Sequence, residues 1–362
     1  MRTPVRIFST LSFGLCFAVV AVGFAQRNAK PATAASDTTA RIVAAAQAVV
    51  ATLDDAGKAK VQFPFEGPQK TRWSNLPVGI FQREGLVLTD LTPPQRAAVN
   101  TLLATALSKD GLRKVTEIMG GDEALRIGQS GRGGGDGRGG ARGGGGGGRG
   151  GGVQFGGDLY FLAFVGTPSV TDPWMLQFGG HHLAINLTMA GSQASMAPSL
   201  PATQPATYTL EGRTIRPLGN ENDKAFALIN ALSDAQRKQA VLGYTVSDLV
   251  LGPLQDGKTI QPEGIRASAL AAPQQTMLLE LAREWAGIMN DTFAEARMAE
   301  IRTNLPDTYF AWSGPTTNGS AAYFRIQGPT LVIEYAPQGG VDHIHTIYRD
   351  PTNDYGAKFA RK

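Results

Sequence analysis

A stretch near the middle of the chain cannot contribute to a core, and whatever folds must fold around it. Residues 128–157 are mostly glycine, punctuated by Arg132, Arg138, Arg142 and Arg149. A tract of that composition has too little apolar surface to offset the entropy of ordering it. It reads as a disordered surface loop inserted into a domain, so the core must come from the segments on either side. The tract also explains much of the basic balance. The formal net charge of +4 includes those four arginines and two more, Arg2 and Arg6, at the amino terminus. The remainder is closer to neutral. In an intracellular protein an Arg-Gly tract would suggest RNA, whose phosphates attract such charge. The amino terminus argues for export instead, and nucleic acid is set aside as a partner.

Arg2 and Arg6 precede an apolar run from Ile7 to Phe24, too short for a comfortable membrane span. Gly23-Phe24-Ala25 then supplies the small residues a signal peptidase needs. Residues 1–25 therefore read as a signal peptide, Gln26 as the mature start, and the protein as periplasmic or secreted with no stable membrane span once the signal is gone. The only cysteine, Cys16, lies inside that signal. Its removal excludes disulfides, thiolate metal sites and a cysteine nucleophile from the mature chain. Any metal must be held by His, Asp or Glu.

Residues 26–36 read as a mobile leader, with a helix starting at Asp37 and running to Leu53. From 37 to 362 the chain reads as a single α+β domain, with helices packed on antiparallel sheet. Leu91-Thr92-Pro93-Pro94-Gln95-Arg96 is a helix start: Thr92 can cap, Pro93 fits the first turn and Gln95 can close the box. Leu232-Ser233-Asp234-Ala235-Gln236-Arg237 repeats the device. Each is followed further on by a β-rich unit, residues 160–168 and 309–315, and by hairpin-like pairs at 174–188 and 323–335. The halves thus read as an internal duplication. Helices are expected at residues 222–232, 235–249 and 273–302, the last from the spacing of Met277, Leu281, Trp285, Ile288, Met289 and Phe293. A stripe of that kind is more often core than cofactor pocket.

The four histidines fall in two pairs, His181-His182 and His343-Ile344-His345. On a strand, a period of two puts His343 and His345 on one face, where their imidazoles can converge on an ion. His181 and His182 should then point to opposite faces, and His182 is the better candidate to join them. His182, His343 and His345 form a three-histidine set able to hold zinc, copper or iron with one position left for water. Glu334, the one acid of its strand, is a candidate fourth ligand or general base. Arg349, on the His343 face by parity, is a candidate substrate anchor. The same residues leave two other readings open: a metal-free polar groove, and histidines that merely pack and donate to carbonyls.

Several segments together carry a resemblance: Gly166-Thr167-Pro168-Ser169, Pro173-Trp174, Gly180-His181-His182-Leu183, His343-Ile344-His345 and Asn353-Asp354-Tyr355-Gly356, with Trp73-Ser74-Asn75-Leu76-Pro77 upstream. In these the chain resembles the bacterial family of domain of unknown function 3500, across nearly all of the mature sequence. The glycine-arginine tract departs from it as an insertion. The resemblance implies fold continuity and a shared histidine-bearing region, and it brings no activity. The function expected from the residues is a metal-dependent hydrolase or oxidoreductase acting on a small-molecule or envelope-derived substrate. The alternative is a binding protein whose groove is lined by histidine and by Trp174, Trp312, Tyr323 and Tyr335.

Overall fold

Burial, rather than local signals alone, sets where the elements begin and end. The computed structural model of the chain describes residues 31–130 and 152–359. The expected signal peptide and most of the glycine tract lie outside the described residues. The first helix, α1 (Pro31–Ala51), opens where a mobile leader was expected. Proline suits a first helical turn because its missing N–H would have no partner there. Ala35, Thr38 and Thr39 are then buried, so packing extends the helix upstream of Asp37.

There follow α2 (Asp55–Val61), capped by Asp54 on the Gly57 N–H at 2.8 Å, then β1 (Gln62–Phe63), β2 (Leu86–Val87), α3 (Pro93–Ala106) and α4 (Lys109–Ser130). Strands β3 (Phe161–Val165), β4 (Trp174–Gly179), β5 (Leu183–Ala190) and β6 (Gln193–Ser195) form an antiparallel run. On its edges β1 pairs parallel to β3 and the short β7 (Leu200–Pro201) pairs with β5. A small hairpin, β8 (Tyr208–Leu210) and β9 (Arg213–Ile215), leads to α5 (Gly219–Ala231), α6 (Asp234–Ala240), β10 (Ile265–Arg266), α7 (Ala272–Ala286) and α8 (Asp291–Thr303). The second sheet runs β10, β11 (Tyr309–Ser313), β12 (Tyr323–Gly328), β13 (Leu331–Pro337), β14 (Ile344–Arg349), all antiparallel. The class is α+β.

Two helical expectations are corrected. The helix expected to run to Leu249 ends at Ala240, because Val241 turns onto the sheet edge: it bridges Trp312 in parallel and Leu242 N–H donates to the Trp312 carbonyl at 2.8 Å. Residues 241–264 are then free to form a long loop. The helix expected over 273–302 is two helices. At the break Ser108 N–H donates to Ile288 O (3.0 Å) and Asn290 N–H to Ala106 O (2.9 Å), around a bridge between Leu107 and Met289. Helical hydrogen bonds are exchanged there for bonds between the segments. Leu281, Trp285, Ile288, Met289 and Phe293 are nonetheless buried core.

One arrangement occurs in both sheets. Gly85 and Gly264, both at positive φ, precede β2 and β10, and a Cβ on either would lie 2.4 and 2.2 Å from the carbonyls of Leu162 and Phe310. Gln95 accepts from Thr92 N–H and donates to Thr52 O; Gln274 accepts from Ala271 N–H and donates to Ala231 O. Thr92 and Ala271 thus begin helices held by the same pair of glutamine bonds, and Asp54 and Ser233 each cap a helix two residues after the carbonyl those bonds reach.

The helices pack on one face of the sheets in two apolar clusters, one around Phe164, Trp174 and Leu187 and one around Trp285, Trp312 and Phe324. Each fully buried side chain of that size contributes about 1.5–3 kcal/mol. A third, smaller cluster of Trp73, Val165, Met175, Ala184, Leu200, Ile347 and Tyr355 lies apart from them. Ile347 belongs to it, and His345 shares Ile347's face of β14 by strand parity. Among the described residues no helix is long and apolar enough to cross a membrane.

Candidate metal centre

The two histidine pairs meet because one short strand is laced between them. Ala202 N–H donates to the His182 carbonyl at 2.8 Å, and Thr203 and Ile344 exchange backbone bonds of 2.9 Å in each direction. Ser199 and Tyr348 do the same further along, so the segment around β7 joins β5 to β14. The bend before β5 and the start of β14 are thereby fixed side by side.

Three ring nitrogens converge. His182 Nε2 lies 3.3 Å from His343 Nε2, and His345 Nε2 lies 2.9 Å from the same atom. Donor atoms of the three residues all lie within 4.8 Å of one another. An ion with bonds of about 2.0–2.1 Å in tetrahedral geometry separates its nitrogens by about 3.3 Å, so the spacing suits coordination. His182 is fully buried, while His343 and His345 are half-buried at the mouth.

The proton inventory points the same way. His182 Nδ1 lies 2.5 Å from Asp122 Oδ1. Burial alone would raise the Asp122 carboxyl, but the His181 and His182 imidazoles beside it outweigh that and hold the acid well below its usual range. A carboxylate only accepts, so Nδ1 carries the proton and Nε2 keeps its lone pair. At the other end His345 Nδ1 faces Asp248 Oδ1 at 3.4 Å and the Asn75 amide donor faces Nε2 at 3.2 Å, an arrangement that suits the tautomer with Nε2 as acceptor. Burial pushes His182 down to about 4; burial, followed by the neighbouring charges of His345 and His182, pushes His343 to about 3. At neutral pH both are uncharged. His343 can offer one proton at most to two facing lone pairs, and a cation satisfies all three nitrogens at once.

His181 and His182 sit in the bend before β5, so strand alternation does not separate them as expected. Their rings pack at 3.7 Å between centroids, tilted by 37°, and Phe155 packs on His181 at 4.9 Å. His181 Nδ1 lies 3.4 Å from Asp122 Oδ1, too poorly aligned for a hydrogen bond.

The structure moves two expected site residues elsewhere. Glu334 is fully buried and its oxygens are taken: Oε1 accepts from Tyr323 OH (2.6 Å) and Val250 N–H (3.0 Å), Oε2 from Leu251 N–H (2.7 Å). Arg349 donates to the carbonyls of Leu251 (2.7 Å) and Gly252 (2.9 Å) and pairs with Asp256 and Asp354. The oxygens of Glu334 and the guanidinium of Arg349 are thus occupied by the fold itself. Both fasten the 241–264 loop, which carries Asp248 to His345, onto the sheet. The aromatic groove is also corrected: Trp174, Trp312, Tyr323 and Tyr335 are at most 1% exposed and belong to the core.

Two partners were missed. Asp122 continues the buried stripe of α4 after Val115 and Ile118, and a charge on an apolar stripe is the signal that would have found it. Asn75, whose Nδ2 lies 3.2 Å from His345 Nε2, stands in the Trp73-to-Pro77 segment.

A family model described as "Protein of unknown function (DUF3500)" matches residues 35–357. No curated protein and no solved structure matches the chain.

Proposed function

Since the chain belongs to the DUF3500 family of proteins of unknown function, we propose from its own residues that it is a metal-dependent enzyme, its ion held by His182, His343 and His345. The observation that carries this reading is the convergence of three Nε2 atoms, with a carboxylate behind the rings of His182 and His345. Three nitrogen ligands leave a coordination position for water or substrate, the catalytic rather than the structural form. Such an ion polarises a bound group or generates hydroxide near neutral pH. Hydrolysis is the preferred class, since an ion with a free position activates water without any redox partner. With copper or iron the same donors support oxidation.

The reading includes export, on the strength of residues 1–25, and a secreted product beginning at Gln26 by mass spectrometry would support it; a retained amino terminus would not. It also includes an internal duplication, supported by the paired Gln95 and Gln274 bonds. Comparison of many family sequences at the offset pairing Asp54 with Ser233 and Thr92 with Ala271 tests it.

The central test is metal content by mass spectrometry on residues 26–362, purified without chelator or affinity histidines, beside a folded His343→Ala/His345→Ala variant. About one zinc, copper or iron per chain, lost in the variant, is expected. Absence of metal from both after soaking with those ions sinks the reading.

A further inference from the structure

One amide at the mouth of the centre has its hydrogen-bond partner in a ring that the ion would claim. Asn75 Nδ2 lies 3.2 Å from His345 Nε2 and 3.4 Å from His345 Nδ1. Among the described residues the Asn75 side chain makes no other hydrogen bond. When the ion takes the Nε2 lone pair and Nδ1 directs its proton to Asp248, the ring keeps no acceptor for the amide. The N–H of Asn75 must then turn to another acceptor.

Distance limits where that acceptor can be. An ion sits about 2 Å beyond Nε2, so Nδ2 stands no more than about 5 Å from it. That is the span of one ion–ligand bond of about 2 Å followed by one hydrogen bond of about 3 Å. His182, His343 and His345 occupy three positions on the ion, and the group within that span is the one that fills the fourth. The amide is also held in place before any ligand arrives. Arg83 Nη2 donates to the carbonyls on either side of Asn75, those of Ser74 and Leu76, each at 2.7 Å. The same nitrogen donates to the carbonyl of Gly180, immediately before His181 and His182, so one guanidinium ties the Asn75 turn to the bend that carries the most buried ligand. Leu76 N–H donates to Ser74 Oγ at 3.1 Å, and Trp73 Nε1 to Tyr355 OH at 2.7 Å. Trp73 and Ser74 are buried and Asn75 is half-buried, so the backbone is fixed while the amide faces the mouth's ring. A donor fixed in advance loses little freedom when a ligand binds.

We propose that Asn75 contacts the substrate: its amide donates to an oxygen of the group in the ion's open position. A donor fixed there selects substrates that present an acceptor oxygen, such as a carbonyl or carboxylate, over molecules that reach the ion through nitrogen, because a polar group built to be paired penalises a ligand that leaves it unpaired. The inference rests on the metal reading and adds to it the residue that recognises the bound group.

The test uses the full mature protein loaded with cobalt, whose visible absorption reports a change of ligand. Wild type, Asn75→Ala and Asn75→Leu are titrated with acetate, which offers an acceptor oxygen, and with imidazole, which offers the amide none once it binds through nitrogen. Both probes should shift the spectrum of wild type. Both substitutions should weaken acetate about tenfold, as expected for a lost hydrogen bond to a charged group, and leave imidazole within about twofold. Asn75→Leu keeps the bulk of the side chain without the donor and carries the test if Asn75→Ala does not fold. A wild type that holds cobalt but ignores acetate, an acetate affinity indifferent to both substitutions, or equal losses for the two probes overturns the inference and leaves the metal reading standing. So does loss of cobalt from a folded Asn75 variant, which would make Asn75 a support for His345. Wild type that takes up no cobalt, zinc, copper or iron removes the metal reading, and this inference with it.

Discussion

Two carboxylate–imidazole pairs flank His343, and they are built in opposite ways. Asp122 and His182 are both fully buried, 2.5 Å apart, and Asp122 also receives Tyr160 OH at 2.7 Å. Asp248 and His345 sit at the surface, 3.4 Å apart, on a loop held from behind by Glu334 and Arg349. Asp248 is 57% exposed and also accepts from Gln338 at 2.7 Å. The buried pair fixes the His182 ring. The exposed pair has water as an alternative partner and can adjust. The histidine cluster is thus rigid on one side and adaptable on the other.

The comparison breaks most sharply under truncation. Asp122→Ala leaves His182 Nδ1 and Tyr160 OH buried without a partner, and urea unfolding of the metal-free protein should show a loss of about 3–5 kcal/mol. Asp248→Ala should stay within about 0.5 kcal/mol of wild type. Similar losses from both would mean the two pairs are not different in kind.

Acid titration gives the next effect. His182 and His343 have an ordinary value of 6.5 and are held at about 4 and about 3 in the folded chain, burial being the first cause. Below pH 6.5 the unfolded chain takes up protons that the folded chain refuses. The metal-free protein should therefore lose stability as the pH falls from about 6.5 towards 4, and His182→Ala should flatten that slope. An unchanged slope in the variant would place the titration elsewhere. Metal affinity follows in size. Asp122→Asn, which spares the shape, should weaken the ion about 10–100-fold by competition dialysis, whereas Asp248→Asn should fall at or below the lower end of that range.

The asymmetry also shows what the sequence could convey. Four histidines in two pairs made the centre legible, and the three chosen are the three that converge. Helix starts with a polar cap were legible too, but Ala271 has no capping side chain. The helix start at Ala271, held by the same glutamine bonds as the one at Thr92, therefore carries no polar-cap signal in the sequence. Asp122 is marked in the sequence only as a charge in line with Val115 and Ile118; its partners Tyr160 and His182 are distant in sequence. Strand parity put Arg349 on the right face, yet it could not reveal that a loop read as helix to Leu249 would cover that face and take up the guanidinium.

Glu334→Gln should leave the ion itself untouched and tests the loop's role directly. The amide keeps one acceptor oxygen, so one of the Val250 and Leu251 N–H groups, or Tyr323 OH, must lose its partner. A cost of about 1 kcal/mol is expected, with metal content unchanged, because Glu334 touches the centre only through the loop that carries Asp248. Pairing the substitution with Asp248→Asn sharpens the point. If Glu334 acts only through Asp248, the double variant should weaken the ion no more than Asp248→Asn alone. Loss of the ion in Glu334→Gln with Asp248 intact would return Glu334 to the ligand set, and the closed hydrogen bonding around its two oxygens would have to open when metal binds.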